Sequence, residues 1–242
     1  MGRVVLPEVD STLSEAARQA PTLAGPTWIL ALKQTAGRAR RGRAWIDPAG
    51  NFAATLVMQP SGGPEQAALR SFVASLALYD AFVALTGRAV GLALKWPNDV
   101  LLNGGKIAGI LLESTGVSAS VNSLSIGIGV NLLNAPAPDQ VESGALPPVS
   151  LLSETGARVT PEEFLNALAP AFARYEAQFT TYGFAPIRNE WLSRAARLGE
   201  VITARSGAVK HVGTFETVDD TGALILRTAL GQQVIPAGEV YF

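Results

Sequence analysis

Two lysines and an aspartate stand among apolar strand residues in Lys95-Trp96-Pro97-Asn98-Asp99 and, just downstream, in Lys106-Ile107-Ala108-Gly109-Ile110-Leu111-Leu112-Glu113. Ordinary solvated charge does not belong in such surroundings. Pro97 lacks an amide donor and biases Trp96 towards extended geometry, so the chain is expected to leave one strand at Trp96-Pro97 and resume near Val100. Asn103-Gly104-Gly105 is a hairpin signal, and folding back brings Lys106 towards the corner that carries Asp99. The bland alternative is a solvated strand edge with Asp99 as a turn former.

A second constellation, Gly37-Arg38-Ala39-Arg40-Arg41-Gly42-Arg43, packs guanidinium groups into a loop flanked by strand signals. Arginine forks suit phosphate and carboxylate oxygens, and glycines let the backbone approach an anion. The loop is suited to a nucleotide phosphate, although a basic loop standing alone is more often solvated surface or a nucleic-acid contact. Neither segment is a Walker phosphate loop, and no Gly-x-Gly-x-x-Gly follows a strand.

These groups need a scaffold, and 242 residues with 48% hydrophobic content supply one large domain, or a large and a small one. A net charge of −1 excludes a bulk electrostatic grip on nucleic acid or anionic membrane, so any anion binding is local. The absence of cysteine removes disulfides, thiolate metal sites and thiol nucleophiles. No leading secretory segment is seen and no apolar run reads as long enough to span a bilayer; a cytoplasmic enzyme is the expectation.

Arg3 to Leu6 reads as a strand, and Thr12 with Glu15 has capping-box spacing for a helix to about Gln19. Trp28 to Lys33 and Phe52 to Met58 read as buried strands, and their connection, Gln34 to Asn51, is long enough to suggest function. A helix is expected within Pro64 to Leu85, then strands at Leu92 to Leu94 and Leu124 to Asn131. Asn134 to Pro148 reads as a loop suited to act as a lid. Thr160-Pro161-Glu162-Glu163 starts a helix to about Phe179, and Ala185 to Arg194 is another. From Leu198 the texture becomes short strands with glycine turns, a small all-β module.

The loop Gln34 to Trp45, the corner Lys95 to Asp99, the segment Lys106 to Glu113 and Gly127-Ile128-Gly129-Val130-Asn131 resemble, in order and spacing, the biotin protein ligases. Ser11-Thr12 before the first helix is similar to that family's biotin-contact motif, and Gly222 to Val240 to its small terminal barrel. The first strand begins almost at the amino terminus, so the resemblance is to the monofunctional kind without a DNA-binding domain.

The resemblance implies an α/β (α+β) fold of the class II synthetase-like kind. A mixed sheet with helices on one face is expected over residues 1–196, and an SH3-like β-barrel over 197–242. It implies that biotin's carboxylate attacks the α-phosphorus of Mg-ATP to give biotinyl-5′-AMP, and that a lysine of a biotin carboxyl carrier protein then takes the biotin. Carboxylate and polyphosphate repel one another, so cations must neutralise both. Arg40 and Lys106 match the family's catalytic arginine and lysine, and Asp99 its corner aspartate, expected to orient a cation or the Mg2+-bound phosphates. Biotin contacts are expected from Ser11, Thr12, Gln34, Gly37, Arg38, Ala39, Arg40, Lys106 and Gly109. ATP contacts are expected from Arg38, Arg40, Arg43, Trp45, Asn98, Lys106 and Asn131, with Trp45 over the adenine. Lys95 and Trp96 read as mainly structural; neither specific DNA nor a membrane is expected as a partner, and a homodimer is compatible.

Two departures stand out. Ala39 occupies the second glycine of the Gly-Arg-Gly-Arg-Arg-Gly pattern, and alanine resists positive φ, so a stiffer loop or another path is expected. Leu13 occupies the asparagine after Ser-Thr and offers no hydrogen bond to biotin's ureido group. The sole histidine, His211, reads as structural. The nearest rival is a lipoate or octanoate ligase or transferase, whose arginine-serine-triple-glycine-type motif is absent and whose thioester form needs a cysteine. A non-catalytic nucleic-acid binder is opposed by the charge balance and by the lack of interleaved aromatics.

Overall fold

The computed structural model describes residues 1–116, 120–137, 140–141 and 144–242. A seven-stranded mixed sheet is built from β1 (Gly2–Leu6), β2 (Thr27–Ala31), β3 (Phe52–Met58), β4 (Leu92–Lys95), β5 (Asp99–Leu102), β6 (Gly105–Thr115) and β7 (Ser123–Val130). Its order is β1-β2-β3-β7-β6-β5-β4, with β1 parallel to β2 and the other pairs antiparallel.

Helices α2 (Pro64–Ala68), α3 (Arg70–Thr86), α5 (Pro161–Tyr182) and α6 (Phe184–Leu192) accompany this sheet, with the short α4 (Leu151–Thr155) before α5. The alternation within β7 explains the layering. Ile126, Ile128 and Val130 enter the core with Val73, Leu76, Phe164 and Phe172 of α3 and α5, whereas Gly127 and Gly129 face the other way. Each fully buried side chain of this size contributes about 1.5–3 kcal/mol. Helix α1 (Thr12–Gln19) lies on the opposite face, where Ala16 packs on Ile29 and Val57. The glycine face beside α1 is therefore left open for a site.

Several sequence expectations needed correction. The capping box of Thr12 and Glu15 is not formed: Ser11 is the N-cap without a side-chain bond, and Glu15 turns to Arg18 and Gln19. Thr12 is instead drawn inward by Gln34 and Thr55. The single helix expected within Pro64 to Leu85 is two, broken at Leu69. Pro64–Thr86 does reach a length and apolar composition that could cross a membrane, yet 61% of its apolar window is buried in the core. Thr160 and Glu163, by contrast, form the expected capping box at the start of α5. The expected lid, Asn134 to Pro148, lies partly outside the described residues.

A second, antiparallel sheet follows, of β8 (Val201–Ser206), β9 (Val209–Val218), β10 (Leu224–Thr228), β11 (Gly231–Ile235) and β12 (Glu239–Tyr241), in the order β11-β10-β9-β8-β12. His211 sits on β9 opposite Ala204. Phe215, Val218 and Leu224 join the core of the larger sheet, and the Trp96 indole N–H donates to the Gly222 carbonyl at 3.0 Å. The turn between β9 and β10 is thereby held against the Lys95 corner.

Candidate active site

A cavity of about 490 Å3 opens between the glycine face, the start of α1, the arginine loop and β12. That volume falls within the range of roughly 300–1,000 Å3 typical of small-molecule sites. Every site residue expected from the sequence lines it except Gly37, which lies behind Trp45 and Gln34.

The floor is set by register. Gly109 of β6 pairs with Gly129 of β7, and Leu111 with Gly127. A Cβ added at Gly129 would lie 2.3 Å from the Trp45 ring, and one at Gly127 would lie 2.9 Å from Leu13 Cδ1. Trp45 and Leu13 thus rest on bare backbone, and Leu13 has become part of the apolar wall.

At the charged end, the β4–β5 hairpin places Lys95 opposite Asp99. Lys106 Nζ lies 2.7 Å from Asp99 Oδ1, and Lys95 Nζ lies 3.6 Å from Oδ2. The hairpin folds Lys106 back to Asp99 as the spacing predicts, although the strand resumes at Asp99 rather than Val100. Lys95 lines the cavity and pairs with the aspartate. Burial works to raise the Asp99 carboxyl, but Lys106, Lys95 and Arg40 together hold it below the usual carboxylate range. Burial likewise lowers Lys95, opposed by Asp99, and lowers Arg40, opposed by Asp99 and Glu239. Asn98 ties the corner to β6 through the Ile110 carbonyl and accepts from Arg40 Nη1 at 3.3 Å.

The arginine loop is closed by the Arg38–Ala44 bridge and by the Ala39 N–H donating to the Arg43 carbonyl at 2.8 Å. Its left-handed residues are Arg41 (φ 59°) and Gly42 (φ 72°), whereas Ala39 is extended at φ −122°. Ala39 therefore stands where no positive φ is needed, and alanine brings no backbone strain to this loop. Arg38 pairs with Glu113 at 2.9 Å, and Arg41 and Arg43 both reach Glu239 of β12. Arg40 also donates to the Gly238 carbonyl at 3.2 Å. The Glu239 contacts were not anticipated, because nothing local in the sequence signals a bond across nearly two hundred residues.

At the neutral end, Thr12 N–H donates to Gln34 Oε1 at 2.8 Å, and the Ser11 hydroxyl is buried without a partner among the described residues. Asn131 donates to the Val149 carbonyl at 3.0 Å, and its buried Oδ1 has no partner among the described residues. Among the described residues no cluster of three His, Cys, Asp or Glu side chains forms a metal cage. The cavity thus joins cationic groups at one end to apolar walls and a few unsatisfied neutral polar atoms at the other. That arrangement can hold an anion against the polar end of an otherwise apolar acid.

Comparison with known proteins points the same way. Residues 5–131 match the model of the biotin/lipoate A/B protein ligase family, and residues 198–242 that of the biotin protein ligase C terminal domain. The chain is 62% identical over 238 residues to the biotin–[acetyl-CoA-carboxylase] ligase of Paracoccus denitrificans, covering 98% of this chain and 99% of that one. It is 30% identical to the bifunctional ligase/repressor of Bacillus subtilis, covering 88% of this chain and 65% of the relative. The biotin protein ligase of Aquifex aeolicus in complex with biotin and ATP superposes with a TM-score of 0.83 at 26% identity, covering 99% of this chain and 97% of that chain.

Proposed function

This chain belongs to the biotin/lipoate A/B protein ligase family, and from that premise we propose a reading of its cavity as the site where biotin is activated and passed on. The protein is an ATP-dependent biotin ligase. A biotin carboxylate oxygen forms a bond to the α-phosphorus of ATP while the bond from that phosphorus to the bridging oxygen breaks, releasing pyrophosphate. The amine of an acceptor lysine, on a biotin carboxyl carrier domain, then forms an amide at the acyl carbon, and AMP leaves.

The observation that carries the residue roles is the placement of Lys106, Lys95 and Arg40 around Asp99 at one end of a single cavity. Lys106 and Arg40 bridge the carboxylate and the α-phosphate, where negative charge accumulates as the two anions meet. Asp99 orients the two ammonium groups. Arg38 and Arg43 serve the outer phosphates, Trp45 and Asn131 the adenylate, and Ser11, Thr12 and Gln34 the ureido ring. Asp99 is already engaged by two lysines, so the donor set does not fit a resident metal. Mg2+ is accordingly read as part of the nucleotide substrate, and the reaction as a cytoplasmic one.

Pyrophosphate release with biotin, ATP and Mg2+, compared with lipoate and octanoate, tests the reading. Release with biotin alone among the three acids is expected; release only with lipoate or octanoate would transfer the cavity to the other branch of the family.

A further inference from the structure

Gln34, at the neutral end of the cavity, is held in one orientation. The Thr12 backbone N–H, which can only donate, lies 2.8 Å from Gln34 Oε1, and the Thr12 hydroxyl donates to the same oxygen at 3.2 Å. This assigns the amide, with its oxygen towards α1 and its nitrogen away. Gln34 Nε2 then donates to Asp47 Oδ2 at 3.3 Å. Thr55, buried in β3, donates to the Thr12 hydroxyl at 2.9 Å. The hydroxyls point towards the Gln34 oxygen and the amide nitrogen points to Asp47, so each member polarises the next.

Asp47 does not line the cavity. Its Oδ1 is nonetheless buried with no hydrogen-bond partner among the described residues, an arrangement that a residue present only for packing would avoid. Burial raises the Asp47 carboxyl, Gln34 partly offsets this through its side chain and backbone amide, and no charged group contributes. We propose that Asp47 is a positioning residue for the acid substrate: acting through Gln34, it fixes the donors and acceptors that the neutral end of the cavity presents to a planar group such as a ureido ring. The unpartnered Ser11 hydroxyl beside Thr12 completes that set. The inference deepens the biotin reading and rests on it.

The test is calorimetric titration with biotin, together with steady-state pyrophosphate release, on the full chain as wild type, Asp47→Ala and Asp47→Asn. Asp47→Ala raises the biotin Kd and KM about tenfold, the scale of one lost hydrogen bond to a charged group, while kcat and the ATP KM stay within about twofold. Asp47→Asn still offers Gln34 a carbonyl oxygen and recovers affinity to within about threefold of wild type. As pH falls through the elevated Asp47 pKa the charge-assisted bond is lost, so the wild type alone shows that acidic limb. Titration of biotin's own carboxyl is common to both proteins and cancels in their ratio. An unchanged biotin Kd in Asp47→Ala overturns the proposal, as does a parallel loss in kcat and ATP KM, which marks mere support of the Trp45 loop. Should Asp47→Ala not fold, the pH profiles of wild type and Asp47→Asn decide, identical profiles counting against it. A wild type that binds no biotin overturns the reading of the cavity, and this inference with it.

Discussion

Arg43 Nη2 lies 2.6 Å from Glu239 Oε1, joining the loop between β2 and β3 to the last strand of the second sheet. Arg41 reaches the same carboxylate at 3.0 Å, and the Tyr241 hydroxyl donates to it at 2.8 Å. Burial acts to raise the Glu239 carboxyl, but Tyr241 and the arginines hold it below the usual range. An internal anion therefore receives arginines that suit incoming phosphates. The arginines of these pairs are half-exposed, and ion pairs so open to solvent contribute about 0.2–1 kcal/mol each. Glu239→Gln is expected to open the loop a few-fold more often, read as faster protease cleavage between residues 38 and 45 without ligand. ATP with biotin should restore protection in both proteins. Equal cleavage rates in the unliganded wild type and variant would remove the latch.

Lys106→Ala and Arg40→Ala are each expected to slow adenylate formation at least about a hundredfold, equivalent to roughly 2.7 kcal/mol of barrier. Lys106→Ala leaves Lys95 beside Asp99, so the carboxylate keeps a partner and the chain stays folded. Single-turnover pyrophosphate release with a parallel thermal melt checks both points. A variant retaining more than about a tenth of the rate would lose its assigned role.

The glycine floor yields a contrast between two similar substitutions. Gly129→Ala drives a methyl to 2.3 Å from the rigid Trp45 indole, whereas Gly127→Ala meets the flexible end of Leu13 at 2.9 Å. The first is expected to raise the ATP KM about tenfold or more by unseating the ring, the second to change the biotin KM only about threefold. Comparable effects of the two on the ATP KM would show that Trp45 does not cover the nucleotide.

Acid should act on the Asp99 corner in a defined direction. The folded-state pKa of Asp99 is depressed, so its stabilising contribution is complete above the ordinary carboxyl value of about 4 and is lost as pH falls through the lower folded value. Urea unfolding of the wild type and Asp99→Asn at neutral pH and near pH 3 is the measurement. The wild-type advantage should shrink on acidification; a gap that stays constant would mean that the lysines do not stabilise the charged form.

Much of the architecture was legible because its signals are local. The short, almost wholly apolar run Phe52 to Met58 predicts that buried strand, Thr160 and Glu163 predict their own capping box, and Asn103-Gly104 predicts the turn that returns Lys106 to Asp99. The expected capping box of Thr12 and Glu15 required correction. A capping motif is a local propensity, and at Thr12 partners from other elements, Gln34 and Thr55, compete with it.

The sequence by itself determined the strand and helix periodicities, the basic loop, the charged corner and the family they belong to, because each is written in residues close together along the chain. Only the tertiary structure decided that β12 reaches across to hold the arginine loop, that Gln34 is locked between Thr12 and Asp47, and that Trp45 and Leu13 settle on glycines of β7. The reason is physical. These contacts join residues brought together only when both sheets share one core, and burial then makes an unpaired charge or an added methyl count for far more than it would on an open loop.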